Sequence, residues 1–101
     1  MILVYSTFPD EESAVKVGNA LLEERLIACF NAFEIKSGYW WEGKITHDDE
    51  WAVIFKTKES LIDEVFEKIK DLHPYTTPAI FAIPVLKVDE DYKEWLEKET
   101  K

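Results

Sequence analysis

Two long stretches of β-forming residues, Ala28 to Trp41 and Ile45 to Phe55, are separated only by Glu42-Gly43-Lys44. A glycine-bearing turn between β-branched and aromatic runs reads as a hairpin. Strands of this length are unusual in a chain of 101 residues, which can bury one modest core and not two. Residues 1–101 therefore read as a single domain, and every other element must be arranged around the hairpin. With 47% hydrophobic and 33% charged residues, the chain falls among globular rather than disordered sequences.

Residues 2–8 read as a strand, after which Pro9-Asp10-Glu11-Glu12-Ser13 opens a helix with acidic groups at its positive end. The spacing of Ala14, Val17, Gly18 and Leu21, widened by Leu22 and Leu26, predicts a helix to about Leu26 that packs on a sheet, with Gly18 permitting close approach. Thr57 reads as the cap of a second helix whose apolar stripe is Leu61, Ile62, Val65, Phe66, Ile69 and Leu72. His73-Pro74 ends that helix, because the residue before a proline is pushed out of helical geometry. Ala79 to Leu86 reads as a strand in which Pro84 demands an edge position or a bulge. A short terminal helix begins at Asp89-Glu90-Asp91 and carries Tyr92, Trp95 and Leu96. The order βαββαβ plus a final helix predicts an α+β, ferredoxin-like sandwich with both major helices on one sheet face.

A sheet covered on one face should alternate apolar with polar residues, and two of these strands do not. Ala79 to Leu86 is apolar throughout, as is Trp51-Ala52-Val53-Ile54-Phe55. Something must cover the second face, and the short terminal helix is all that the chain has left. The expectation is a homo-oligomer in which the aromatic hairpin, with Tyr39, Trp40 and Trp41, is the assembly device.

Charge narrows the partners. Twelve basic residues against 21 acidic ones give −9, and Arg25 is the only arginine, so no nucleic-acid partner is expected. The apolar run Met1 to Tyr5 is too short to insert in a membrane and has no basic leader, and Cys29 is the lone cysteine; the simplest setting is a reducing, cytoplasmic one. The chain has no glutamine and only Asn19 and Asn31 as asparagines beside many Lys and Glu, a bias that predicts thermostability. No G-x-S-x-G, P-loop, G-x-G-x-x-G or H-E-x-x-H pattern occurs, and Ser6-Thr7-Phe8-Pro9-Asp10 carries no basic anion loop. An enzyme and an organic cofactor are not expected.

Cys29 and His73 are of the thiolate and imidazole type that suits copper or zinc, with a small buried cysteine as the plainer reading. In His47-Asp48-Asp49-Glu50 only alternate members can share a face, and an exposed strand end explains the run equally. The remaining polar groups of the hairpin have matching parity: Asn31, Ser37 and Tyr39 on one strand, Glu50 and Lys56 on the next. Together with Tyr75 in the His73-Pro74-Tyr75 loop, they are candidates to line an inter-subunit pocket or to satisfy an interface.

Taken together, Ala28-Cys29-Phe30-Asn31, Ser37-Gly38-Tyr39-Trp40-Trp41-Glu42-Gly43-Lys44, Glu50, Lys56-Thr57, His73-Pro74-Tyr75-Thr76-Thr77-Pro78 and Tyr92-Lys93-Glu94-Trp95-Leu96 resemble, in order and spacing, the divalent-cation-tolerance (CutA) family. The resemblance implies a ferredoxin-like subunit, a cytoplasmic homotrimer with strands extended between subunits, and a shape similar to the PII signalling proteins. It also implies a link to tolerance of Cu(2+) or another divalent cation, by binding rather than catalysis, with divalent ions and other copies of itself as partners. Some members carry cysteine and histidine where Ser6 and Leu72 stand here, which leaves His73 and Cys29 as the implied metal contacts. The alternative that the resemblance leaves open is a PII-like small-ligand sensor or signalling adaptor with clefts between subunits.

Overall fold

The computed structural model describes residues 1–101. Four strands, β1 (Ile2–Phe8), β2 (Cys29–Trp41), β3 (Lys44–Thr57) and β4 (Ile80–Pro84), form one antiparallel sheet in the order β2-β3-β1-β4. Helices α1 (Glu11–Glu23) and α2 (Ile62–Leu72) lie between them in sequence, and α3 (Glu90–Glu99) follows β4. This is the expected ferredoxin-like arrangement with its terminal helix.

Register divides the sheet into two faces. Residues opposite one another across antiparallel strands share a face, so the pairs Val4↔Phe55, Ser6↔Val53 and Phe8↔Trp51 place these groups together. Val4, Phe8, Val53 and Phe55 are fully buried beneath Ala14, Val17 and Leu21 of α1 and Val65 and Ile69 of α2. Gly18 has the role read from its spacing: a Cβ there would lie 2.6 Å from the Phe30 ring, so its absence sets how closely α1 approaches β2. The other face carries Tyr5, Phe33, Ile54, Phe81 and Ile83. Phe33, Phe81 and Ile83 remain 41%, 46% and 39% exposed, because α3 covers only the corner of that face formed by β2 and β3, where Tyr92 meets Cys29 and Lys56.

The hairpin outgrows the sheet. Pairing of β1 with β3 begins at Phe8↔Trp51, so Lys44 to Glu50 pair with β2 alone. At roughly 3.3 Å per residue this overhang extends about 23 Å, and it accounts for much of the 45 Å long axis. The turn is tighter than the sequence suggests: Trp41 pairs with Lys44, leaving Glu42 (φ 49) and Gly43 (φ 75) as a two-residue loop. Positive φ at both central positions matches the right-handed twist of the flanking strands.

Three boundaries differ from the sequence reading. Helix α1 stops at Glu23, short of Leu26, because Arg25 adopts a left-handed conformation (φ 56) and the Leu26 N–H turns back to the Leu21 carbonyl at 3.0 Å. Thr57 does not cap a helix. It ends β3, fully buried, and its hydroxyl donates to the Leu26 carbonyl at 2.6 Å, while α2 is entered through a short 3-10 turn, Glu59–Leu61, after Lys58. Strand β4 is confined to Ile80–Pro84; it is an edge strand paired only with β1, and beyond the Ile2↔Pro84 pair no strand partner remains for Val85 and Leu86. Pro84 thus occupies the edge position that its missing N–H requires.

Candidate functional site

The hairpin leaves the four-stranded sheet near Glu50, and the loop after α2 lies beside that point. Together they enclose a cleft of about 810 Å³, lined by Tyr5 and Thr7 of β1, Ile35, Ser37, Tyr39 and Trp41 of β2, Glu50 of β3, and the Pro74–Thr77 segment. The cleft opens on the apolar second face.

His73 fixes the loop. Its extended backbone (φ −72, ψ 135), imposed by Pro74, ends α2 and turns the imidazole onto Phe8, with ring centroids 4.3 Å apart and planes 16° from parallel. Nε2 lies 2.8 Å from the Thr7 carbonyl, and the Tyr75 N–H lies 3.1 Å from Nδ1. An amide can only donate, so Nδ1 accepts and Nε2 carries the proton toward Thr7. Burial holds the His73 pKa below the usual imidazole value, against the opposing pull of the Thr7 carbonyl and Glu50.

From His73 the chain of contacts continues into the cleft. The Tyr75 hydroxyl donates to Glu50 Oε2 at 2.7 Å. Burial, and then the Glu50 carboxylate, push the Tyr75 phenol well above its ordinary pKa, so it stays a hydrogen-bond donor. Glu50 is 8% exposed. Farther along the hairpin the Tyr39 hydroxyl donates to Asp48 Oδ2, the main reason its pKa is also raised. Lys36 Nζ lies 2.6 Å from Asp49 Oδ1, a solvent-exposed pair.

Of the pocket candidates read from the sequence, Tyr39, Glu50 and Tyr75 line this cleft, with Ser37 beside them. Asn31 and Lys56 lie elsewhere. Asn31 sits opposite Ile54, and Lys56 opposite Cys29, where its ammonium is 5.7 Å from the Tyr92 ring centroid. Tyr5, Thr7 and Ile35 were missed, because their arrival at the cleft depends on the register of β1 and β2 against β3, which no local pattern reveals.

The implied metal contacts are apart within one chain. Cys29 Sγ is 3.3 Å from the Tyr92 hydroxyl, at the opposite end of the sheet from His73. His73 bonds Thr7, which pairs with Ala52, whereas Cys29 pairs with Lys56; four strand residues separate these positions by about 13 Å. Both ring nitrogens of His73 are engaged with backbone, and no group of three or more His, Cys, Asp or Glu side chains is disposed to hold a metal ion. The donor set of a single chain therefore does not make a metal shell. Trp40 and Trp41 stand 72% and 57% exposed on the overhang.

Comparison with known proteins places this geometry. The model of the CutA1 divalent ion tolerance protein family matches residues 2–99. The divalent-cation tolerance protein CutA of Thermotoga maritima is 62% identical over 96 residues, covering 95% of each chain. The crystal structure of CutA1 from Pyrococcus horikoshii superposes with a TM-score of 0.97 at 57% identity, over 100% of this chain and 99% of that one. A structure described as the periplasmic divalent cation tolerance protein CutA from Archaeoglobus fulgidus has a TM-score of 0.97 at 40% identity, with 100% of both chains covered.

Proposed function

The chain belongs to the CutA1 divalent ion tolerance family, and from that premise we propose that it acts as a cytoplasmic homotrimer in tolerance of divalent metal ions, copper among them, by binding the ion rather than by catalysis. The observation that carries the assembly is the second sheet face. Phe33, Phe81 and Ile83 lie on it with substantial exposure, Trp40 and Trp41 are largely exposed on the overhang, and β2 runs along an unpaired sheet edge. Apolar area of this kind favours burial against another copy, and a long open edge invites strand pairing.

Assembly also bears on the metal. Because one chain gathers no three-ligand group, a cation shell requires donors from more than one subunit, with Cys29, the hairpin carboxylates and, once released from one of its two backbone hydrogen bonds, His73 as the groups to be shared. No helix is long and apolar enough to cross a membrane. Light scattering should return three times the chain mass of 11.8 kDa, and a monomer at micromolar concentration would overturn the assembly. Calorimetric titration of Cu(II) into wild type, Cys29→Ser and His73→Ala should show weaker binding in the variants; unchanged binding in both removes them from the site.

The cleft favours a second reading, a small-ligand sensor with binding sites at the base of the hairpin. Its volume falls in the range of small-molecule pockets. A ligand that prefers the native state raises the melting temperature by mass action, so a metabolite set that produces no shift would remove this reading.

A further inference from the structure

We propose that α3, with Thr100 and Lys101 behind it, is a strap that opens separately from the rest of the fold, latched at Arg25 and shielding the Cys29 thiol when closed. The strap regulates the Cys29 donor and takes that role from the metal-binding reading; its opening does not depend on that reading.

Little holds the strap. Within α3 only Leu96 is buried, and it lies outside the core cluster that α1, α2 and the sheet share. Trp95, the largest apolar group of the helix, is 41% exposed. A single backbone hydrogen bond joins the segment after β4 to the rest of the chain, from the Lys101 N–H to the Arg25 carbonyl at 3.0 Å. A segment with so few buried apolar side chains and backbone bonds to its surroundings opens at a lower free energy than the whole molecule.

Arg25 is the latch. Its left-handed residue ends α1 with both the carbonyl and the guanidinium engaged by the strap: Nη1 donates to the Glu99 carbonyl at 3.1 Å and to Glu99 Oε2 at 2.9 Å. Lys101 Nζ adds a second ion pair, 3.0 Å from Glu64 Oε2 on α2. These partners belong to the helix layer, away from the apolar face that other copies cover in the proposed assembly. Both pairs are open to solvent, so dissolved salt screens them.

Near the start of α3 the Tyr92 hydroxyl lies 3.3 Å from Cys29 Sγ, and Lys56 Nζ lies 5.7 Å from the Tyr92 ring centroid. Tyr92 and Glu99 are about 10 Å apart along a helix axis, and the short connection from α1 to β2 joins their partners Arg25 and Cys29. The strap therefore runs from latch to thiol as one rigid piece, and its release at Arg25 lifts Tyr92 from Cys29.

The test is alkylation of Cys29, the chain's one cysteine, by iodoacetamide in the intact protein. Rates are taken at fixed pH and protein concentration and scaled to glutathione, with hydrogen exchange followed alongside by mass spectrometry. Residues 90–101 should exchange well before β1 and α1. Arg25→Gln should speed alkylation about two- to fivefold, the range of an exposed charged pair, and Leu96→Ala at least about tenfold. Sodium chloride at about 1 M, where the Debye length is about 3 Å, should speed wild type more than Arg25→Gln. Ile69→Ala, a change inside the core cluster, should label as wild type does. Equal rates in wild type and Arg25→Gln, a wild-type thiol as fast as glutathione, or a thiol unlabelled in every protein would each overturn the proposal. So would equal acceleration in Ile69→Ala, or exchange of residues 90–101 only together with β1. The metal reading fails separately: a Cu(II) titration unchanged in Cys29→Ser removes that donor, while the alkylation rates still decide the strap.

Discussion

The two faces of the sheet are built from similar residues and meet different fates. On the helix-covered face Val4, Phe8, Val53 and Phe55 are fully buried; on the opposite face Phe33, Phe81 and Ile83 stay about two-fifths exposed. Hydrophobicity does not separate them. What differs is cover: α1 and α2 both fall on one side, and α3 reaches only the β2/β3 corner of the other, where Tyr92 touches Cys29. The covered face is thus finished by the chain itself, whereas the other is finished in the proposed assembly, and the cleft lies where that unfinished face meets the hairpin.

Substitutions sharpen this distinction. The largest effect should come from Phe55→Ala, which opens a cavity in the closed core and should cost about 3–5 kcal/mol in chemical denaturation, irrespective of protein concentration. Phe81→Ala should cost about 1–2 kcal/mol at high dilution, since only part of its area is buried within the chain, with a further loss that grows with concentration as copies associate. Equal, concentration-independent costs at both positions would break the contrast.

Next in size is Thr57→Val, which should cost about 1–3 kcal/mol by leaving the Leu26 carbonyl without its donor. Gly18→Ala should follow, at about 1 kcal/mol net, as overpacking against Phe30 exceeds the gain in helix propensity. In a Phe30→Leu background the same change should turn neutral or stabilising, a coupling that a double-mutant cycle measures directly.

His73 stands at the boundary between the faces, and its effect depends on pH. Its folded pKa lies below the reference value of 6.5, so between the folded value and 6.5 the unfolded chain binds more protons. Stability should be fully present above about pH 6.5 and should fall as acid carries the solution down through the folded pKa. The slope should flatten in His73→Gln. A wild-type curve that rises on acidification through this window would contradict the neutral, Nε2-protonated imidazole. The smallest effect is expected at Ser6, whose hydroxyl is fully buried and unpartnered in the covered core. Removing it in Ser6→Ala should change stability by less than about 1 kcal/mol, toward greater stability.

Much of the fold was legible in the chain. The hairpin, the glycine beneath Phe30, the edge proline and the helix end before Pro74 all follow from local residue chemistry, and the structure bears each of them out. The misread boundaries share a cause. Thr57 looks like a cap and Leu26 looks helical because the local pattern permits both, but a hydrogen bond between these two residues, 31 positions apart, decides otherwise. The candidate site was half legible for the same reason. Tyr39, Glu50 and Tyr75 were brought together by strand parity and an adjacent loop, while Tyr5 and Thr7 entered through a register between strands far apart in sequence.

The sequence by itself determined the order of elements, the faces of each strand and the presence of more apolar surface than two helices can cover, because side-chain periodicity and turn chemistry act over a few residues. Only the tertiary structure decided that Cys29 and His73 lie apart, that both nitrogens of His73 serve the backbone, and that Glu50 lines a cleft with one oxygen held by the Tyr75 hydroxyl. Those outcomes depend on strand register and loop closure, in which many weak contacts across the whole chain are satisfied at once and no short segment carries the answer.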